Sequence, residues 1–284
     1  MARGDQAPGL SAHATARSAE PELLDTDGEA VVKLHKPLLS QTPALDCLSG
    51  YHRHVEILIA CRHKEPLRLL RLISERLDEL HPLLLNNLHH LIVPAISLPD
   101  QMAELGFDPE QEADSDASAS DGVITLWGKD QLSEPEYSLS PECLEHELAH
   151  LAGDETGVPE GMEQEWEQAR AADANTPSTV QPYPDGIRGF PVDQGVTRMV
   201  LTEAACISNY VAGFDDPWKR RSEDWADSVS LYLSSLRHDG LHYQGKKQMF
   251  EEHFPHRAAV LKRYLGRKIP PVPARVPRSD QPAV

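Results

Sequence analysis

One short segment constrains this chain more than any other: the helix-forming stretch SPECLEHELAHLAG, residues 140–153. Ser140 is followed by a proline, which is the usual order of an N-cap and a first helical residue, and a glycine follows the last apolar position. Side chains four residues apart project from the same face of a helix. His146 and His150 are therefore expected to point together at whatever packs against this helix.

Glu147 lies between these histidines and completes the pattern H-E-x-x-H. Zinc held by three protein ligands keeps one open position, and water bound there has a pKa of about 7. Glu147 is turned to the side of the histidine face, so it can act as a general base on such a water without displacing it. The pattern predicts a Zn²⁺ site with His146 and His150 as two ligands. A partly buried helix with two hydrogen-bonded histidines is the alternative.

The third ligand is expected to be a carboxylate or histidine on another helix. Glu223, in RRSEDWADSVSLYL, is the best candidate, with Ser222 expected as the N-cap of its helix. Asp227 lies one turn later, where it can hydrogen-bond the second nitrogen of a ligating histidine. An acid in a first turn also complements the helix dipole, which leaves a purely stabilising role open. Glu203, in the apolar run VLTEAACI, is a rival third ligand.

Segments of different kinds alternate along the chain. EPLRLLRLISERLDELHPLLLNNL has apolar residues at helical spacing, and TEAACISNYV and FPHRAAVLKRYLG are further helix candidates. HLIVPAISL and GVITLW are short β-rich runs, so the predicted class is α+β. We expect a disordered region over 1–45, one folded domain over 46–268 and a disordered proline-rich tail over 269–284. The acidic stretch 108–122 is expected to be a loop.

The formal charge of −18 argues against binding to nucleic acid or to an anionic membrane, because both favour Lys and Arg. The N-terminus lacks the apolar segment of a secretory signal, and no apolar run approaches the ~18 residues that a membrane span needs. The four cysteines are scattered, which is typical of reduced thiols in the cytosol. We expect a monomer that is cytoplasmic as synthesised; its polar N-terminus also fits export into a host cell by a route that needs no signal peptide.

The H-E-x-x-H pattern, the later E-x-x-A-D and the closing FEEHFPHRAAVLKRYL together resemble the lethal-factor-like zincin metallopeptidases and the bacterial cytosolic regulatory peptidases related to them. The resemblance spans about residues 65–267. It implies a zincin-like metallopeptidase domain with a small mixed sheet above the H-E-x-x-H helix. It also implies Zn²⁺ bound by His146, His150 and Glu223, with Glu147 as the base.

The family places a tyrosine shortly before the third ligand, where it hydrogen-bonds the oxyanion of the reaction. Tyr210 in ISNYVAG is the nearest equivalent, and a packed core tyrosine is the alternative. The stretch between the second histidine and Glu223 is longer than usual in the family, so we interpret residues 158–198 as an insertion. The strand GVITLW is expected at the edge of the cleft, where an extended substrate can pair with it.

The function that this resemblance implies is hydrolysis of peptide bonds in a protein or peptide substrate by a zinc-dependent endopeptidase. The same features fit a leaderless secreted effector or toxin. Two other classes stay open: a cytosolic regulatory peptidase, and a non-catalytic protein-binding module on a zincin fold. The intact Glu147 favours an enzyme over a binding module, because a binder has no use for a general base.

Overall fold

The computed structural model describes ten stretches of the chain: residues 22–26, 29–36, 45–63, 65–94, 117–127, 139–176, 199–200, 205–237, 250–251 and 253–266. These residues form a mixed sheet with helices packed against it, so the predicted α+β class is confirmed. Within these stretches, no helix combines the length and the apolar character that crossing a membrane requires.

The main sheet has seven strands in the order β1-β2-β3-β4-β5-β7-β6. Strands β4, β5 and β7 are parallel to one another, whereas the pairs β1–β2, β2–β3, β3–β4 and β6–β7 are antiparallel. Two further strands, β8 and β9, form a separate antiparallel pair. The strand bounds are β1 Glu22–Thr26, β2 Glu29–Lys36, β3 Leu45–His52, β4 Val55–Ala60, β5 His90–Val93, β6 Ala117–Ser120, β7 Val123–Leu126, β8 Met199–Val200 and β9 Ala205–Cys206.

The H-E-x-x-H segment forms a helix, as predicted, and Ser140 caps it by accepting a hydrogen bond from the backbone N–H of Cys143 at 3.2 Å. The predicted helix bounds are also confirmed, because the helix starts at Pro141 and is followed by Gly153. The helix bounds are α1 Pro66–Glu79, α2 Pro82–Leu85, α3 Pro141–Ala152, α4 Glu163–Ala174, α5 Asn209–Ala212, α6 Pro217–Arg237 and α7 Pro255–Leu265.

The main core lies between one face of the sheet and the helices. Ile57 and Ile59 of β4 face this core, whereas Leu58 between them belongs to a smaller cluster on the opposite face, as strand geometry requires. Helix α3 contributes Leu144 and Leu148 to the main core, and both are fully buried. Because these leucines fix one side of α3 against the core, the histidine side of the helix is turned toward α6.

The structure differs from the predicted disorder of residues 1–45 at strands β1 and β2. The alternation in EAVVKLHK pairs β2 with β3, joining Val32 to Ser49 and Leu34 to Cys47. Val31 is buried in the main core, and this burial, together with the pairing of β1, β2 and β3, favours order that the composition alone did not suggest. Residues 1–21 and the tail 269–284 lie outside the described residues.

GVITLW was expected to lie at the edge of the cleft and to pair with an extended substrate, and the structure corrects this expectation. GVITLW forms β7, which pairs with β5 on one side and with β6 on the other, so β6 is an edge strand of the described sheet. Strand β6 lies inside the stretch 108–122, which was expected to be a loop. Asp121 and Gly122 connect the two strands with φ values of 51° and 77°, the two-residue turn that favours tight hairpins.

The first half of residues 158–198, which were interpreted as an insertion, is an integral part of the folded core. Helix α4 lies in this range, and its Trp166 is completely buried. The indole packs edge-to-face on Trp225 of α6, with ring centroids 5.0 Å apart. Helix α4 is therefore part of the core that supports α6, while residues 177–198 lie outside the described residues.

Two helix predictions near the third ligand were wrong in detail. Helix α6 begins at Pro217, so Ser222 lies inside it and is not its N-cap. Asp216 takes the capping role, because its Oδ1 accepts a hydrogen bond from the backbone N–H of Trp218 at 2.9 Å. In the stretch TEAACISNYV, of which the structure describes residues 205–211, Ala205–Cys206 is strand β9 and the helical residues belong to the short α5.

Candidate metal centre

Helices α3 and α6 pack side by side and run in opposite directions. Ser230 Oγ donates to the carbonyl of Glu142 at 2.8 Å, and near the other end Trp225 Nε1 donates to the carbonyl of Ala149 at 3.0 Å. Every fourth residue of α6 along the contact is small and buried: Ser222, Ala226, Ser230 and Ser234. Small side chains let the two backbones approach, so that carboxylates on α6 can reach the histidines of α3.

Three donor atoms meet between these helices. His146 Nε2 and His150 Nε2 are 3.0 Å apart, and Glu223 Oε2 lies 3.3 Å from the first and 3.5 Å from the second. A tetrahedral zinc ion with bonds of about 2.0–2.1 Å keeps its ligand atoms about 3.3 Å apart. The triangle therefore has the size that such an ion needs. This group can hold a metal ion, and Glu223 is the third member that the sequence analysis favoured.

The second nitrogen of each histidine has its own partner. His146 Nδ1 lies 3.0 Å from Asp227 Oδ1, and His150 Nδ1 lies 3.0 Å from Ser222 Oγ. The carboxylate of Asp227 accepts a hydrogen bond from His146 Nδ1–H, which leaves the Nε2 lone pair of His146 free. The hydroxyl of Ser222 can pair with His150 Nδ1 in either tautomer, and the tautomer with its proton on Nδ1 leaves Nε2 of His150 free as well. Two lone pairs and a carboxylate that converge on one point repel each other, so the arrangement favours a cation between them.

The pKa values of the cluster reflect this crowding. Burial lowers the pKa of His146, but its hydrogen bonds to Asp227 and Glu223 outweigh burial and hold that pKa well above the usual value. Burial raises the pKa of Glu223, and here the two histidines outweigh it and hold the pKa well below the usual range. A proton therefore occupies the cluster when no metal does, and a metal ion must displace it.

Glu147 is buried beside the cluster. Burial raises the pKa of its carboxyl group, an effect opposed by the positive charge that His146 and His150 carry when protonated and reinforced by Glu223. A carboxylate with a raised pKa is a stronger base than an exposed one, and general acid–base catalysis is most effective when the pKa approaches the working pH. Glu147 thus has the environment expected of a general base.

Tyr210 on α5 reaches the same cluster. Its phenol lies near the Glu223 carboxylate, its ring packs edge-to-face on Phe214, and the residue is 42% exposed. Partial burial, together with the negative charges of Glu223, Asp227 and Glu147, raises the phenol pKa well above its ordinary value. The hydroxyl therefore stays protonated and can donate a hydrogen bond at neutral pH. The half-exposed ring does not fit the alternative of a packed core tyrosine.

The segment that carries Tyr210 is anchored by two carboxylates of α6. Asp224 Oδ1 accepts a hydrogen bond from the backbone N–H of Ile207 at 3.2 Å. Ser208 Oγ donates to Asp227 Oδ2 at 2.8 Å, and it accepts from the backbone N–H of Val211 at 3.2 Å. Asp227 consequently holds His146 with one oxygen and the tyrosine segment with the other.

A buried charge network lies beneath the metal cluster. Asp224 Oδ2 is 3.0 Å from Arg170 Nε of α4, and Asp224 Oδ1 is 3.4 Å from Arg257 Nη1 of α7. Asp173 of α4 accepts hydrogen bonds from the backbone N–H groups of His256 and Arg257, at 2.9 Å and 3.2 Å, and so caps the start of α7. These contacts join α4, α6 and α7 around the turn that presents Glu223.

The structure brings together His146, Glu147, His150, Tyr210 and Glu223. No protein-family profile, curated protein or solved structure matches this chain. The rival ligand, residue 203, lies outside the described residues. Ser208 and the histidine contact of Ser222 escaped the sequence analysis, because each depends on a partner distant in the chain.

Proposed function

We propose that this chain is a zinc-dependent endopeptidase with a zincin-like fold that acts, as a monomer, on a protein or peptide substrate. The observation that carries the proposal is the triangle of His146, His150 and Glu223 with the buried carboxylate of Glu147 beside it. Two imidazoles and one carboxylate form a ligand set typical of catalytic zinc, which leaves a fourth position open. The resemblance in the motifs supports the same chemistry.

Each residue of the site has a role in this proposal. A bound zinc ion would polarise the scissile carbonyl and lower the pKa of a water molecule. Glu147 takes the proton of that water and passes it to the leaving amine. Tyr210, kept protonated, donates a hydrogen bond to the carbonyl oxygen as negative charge develops there. Asp227 holds the His146 ring in the tautomer that leaves Nε2 free.

The proposed substrate binds in extended form along β6. This strand is one of the two edge strands of the described sheet, and it contacts α3, the helix that carries both histidines. A strand at the edge of a sheet can add an extended peptide through backbone hydrogen bonds, and this mode of recognition is common. We therefore assign the pairing with substrate, which the sequence analysis expected for β7, to β6.

The test of the proposal is Glu147→Gln, with Glu142→Gln five residues earlier on α3 as the control. Glutamine cannot accept the proton of water, and general acid–base catalysis contributes about 10²–10⁴-fold. We expect Glu147→Gln to keep its fold and its zinc while cleavage of denatured proteins and of proteomes falls below detection. Glu142→Gln should cleave like the wild type. Undiminished cleavage by folded Glu147→Gln would contradict the mechanism, and a zinc-loaded wild type that cleaves nothing would favour a binding module.

A further inference from the structure

The two histidines of the metal cluster have unequal supports. The Nδ1 atom of His146 faces a carboxylate, Asp227, whereas the Nδ1 atom of His150 faces a hydroxyl, Ser222, and both separations are 3.0 Å. The carboxylate is itself held by Ser208. The orientation of the His150 ring therefore depends on the residues that hold Ser222 in position.

Ser222 differs from the other serines of its row in what it contacts across the helix pair. It lies one turn inside α6 and is buried, where serine competes with the helical hydrogen bonds and does not favour the helix. Capping does not explain it, because the helix starts at Pro217. A small residue suits the close approach of α3 and α6, and the hydroxyl at this position contacts His150, whereas those of Ser230 and Ser234 contact Glu142.

Gly157 packs directly on Ser222. It lies in the turn after α3, where its backbone N–H donates to the carbonyl of Asp154 at 2.9 Å, and its φ of 81° is in the left-handed region. A Cβ atom at this position would lie 2.9 Å from Ser222 Cβ and 3.2 Å from Ser222 Cα. No ordinary side chain fits there, so glycine is required both by its backbone conformation and by this contact.

We propose that Ser222, held in place by Gly157, is a positioning residue that fixes the His150 imidazole for the metal ion. The hydroxyl accepts the Nδ1 proton, which sets the tautomer and the angle of the ring, and Gly157 lets the turn close behind it. This inference rests on the proposed metal-binding function. Ser222 acts only through His150 and does not touch the metal.

The first test compares Ser222→Ala with Ser230→Ala. Both serines lie on the same row of α6, and each loses one hydrogen bond to α3, but Ser230 donates to the backbone of Glu142 and not to a histidine. A merely structural role predicts the same result for both variants. Loss of an outer partner typically weakens metal binding about 10–100-fold. We expect about a tenfold weaker zinc affinity for Ser222→Ala, measured by chelator competition, and less than about a twofold change for Ser230→Ala.

The visible spectrum of the Co²⁺-substituted protein gives a second readout, because it reports ligand geometry independently of affinity and of activity. The bands should shift in Ser222→Ala and remain unchanged in Ser230→Ala. Circular dichroism and thermal unfolding of the metal-free proteins check that both variants fold.

Gly157→Ala and Gly161→Ala form a second matched pair, which also covers the case in which Ser222→Ala fails to fold. Both glycines have a positive φ, 81° and 76°, so alanine introduces similar backbone strain at each. Only Gly157 is in contact with Ser222; a Cβ at Gly161 meets nothing within 4 Å. We expect weaker zinc binding in Gly157→Ala alone.

The outcomes separate this inference from the proposed function. A wild-type protein that binds neither zinc nor Co²⁺ contradicts both. If the wild type binds zinc while Ser222→Ala and Gly157→Ala keep its affinity and its Co²⁺ spectrum, the positioning role is wrong and the metal site stands.

Discussion

Replacing Arg257 by methionine should destabilise the folded protein strongly. Arg257 is fully buried, with Nη1 3.4 Å from Asp224 Oδ1 and Nε 3.7 Å from Asp173 Oδ2. Methionine fills much of the same volume, but it removes the positive charge that pairs with the buried carboxylates of Asp173 and Asp224. Removing one partner of a buried ion pair costs about 3–5 kcal/mol. A domain with a total stability of about 5–15 kcal/mol would lose a large part of it.

The stability that Arg257→Met loses should increase with pH. Burial raises the pKa of both Asp173 and Asp224, and Arg257 is the largest influence that lowers them. Without Arg257 both pKa values rise further, so the folded protein binds protons that the unfolded chain releases above pH ~4. Stability then falls as pH rises through the folded pKa values. Arg257→Met should therefore lose more stability at pH 8 than at pH 5.

Urea unfolding of the zinc-loaded protein at both pH values measures this loss, with Arg76→Met as the matched control. Arg76 pairs with Glu79 three residues away on the exposed side of α1, at 2.9 Å. Such a surface pair contributes about 0.5 kcal/mol or less. A loss in Arg257→Met no larger than in Arg76→Met would refute the reasoning, and so would a larger loss at pH 5 than at pH 8.

Four further results are expected. Asp227→Asn should weaken zinc binding about 10–100-fold in chelator competition, because the amide is a poorer partner for His146; unchanged affinity would exclude the support role. Zinc binding at pH 7 should release protons, since the pKa of His146 is raised in the metal-free cluster, and calorimetry in two buffers of different ionisation enthalpy would detect this; identical heats would contradict it. Tyr210→Phe should keep the bound zinc while kcat falls about 10²-fold, and an unaffected kcat would remove Tyr210 from the mechanism. Trp166→Ala should lower the free energy of unfolding by about 3–5 kcal/mol in urea titrations, whereas a loss below ~1 kcal/mol would make α4 a dispensable insertion after all.

The local part of the site could be predicted from sequence. The relation between His146, Glu147 and His150 depends only on helical spacing, and the cap at Ser140 confirms the helix that imposes it. Glu223 could be nominated from its motif, but its distance from the histidines depends on how α6 packs on α3. That packing is specified by small residues spread over four turns, a weak signal in a single sequence.

The failures have physical causes of two kinds. Ser222 was misread because Ser-Glu-Asp is a good local start for a helix, and the boundary was decided by the competing Asp216-Pro217 upstream. The charge network could not be predicted, because Asp173 and Arg257 are distant in sequence and nothing local marks them as partners. The β6–β7 hairpin could have been found, since Asp121-Gly122 is a strong signal for a two-residue turn.

The most direct test of the metal centre is the zinc content of the purified protein, determined by elemental analysis after expression in a metal-sufficient host. The wild type should carry about one zinc per chain. Glu203→Ala should carry the same amount. Glu223→Ala, and the double variant His146→Ala/His150→Ala, should carry almost none after dialysis against a weak chelator. Full zinc occupancy in the double variant would contradict the site, and zinc lost from Glu203→Ala but kept in Glu223→Ala would make Glu203 the third ligand.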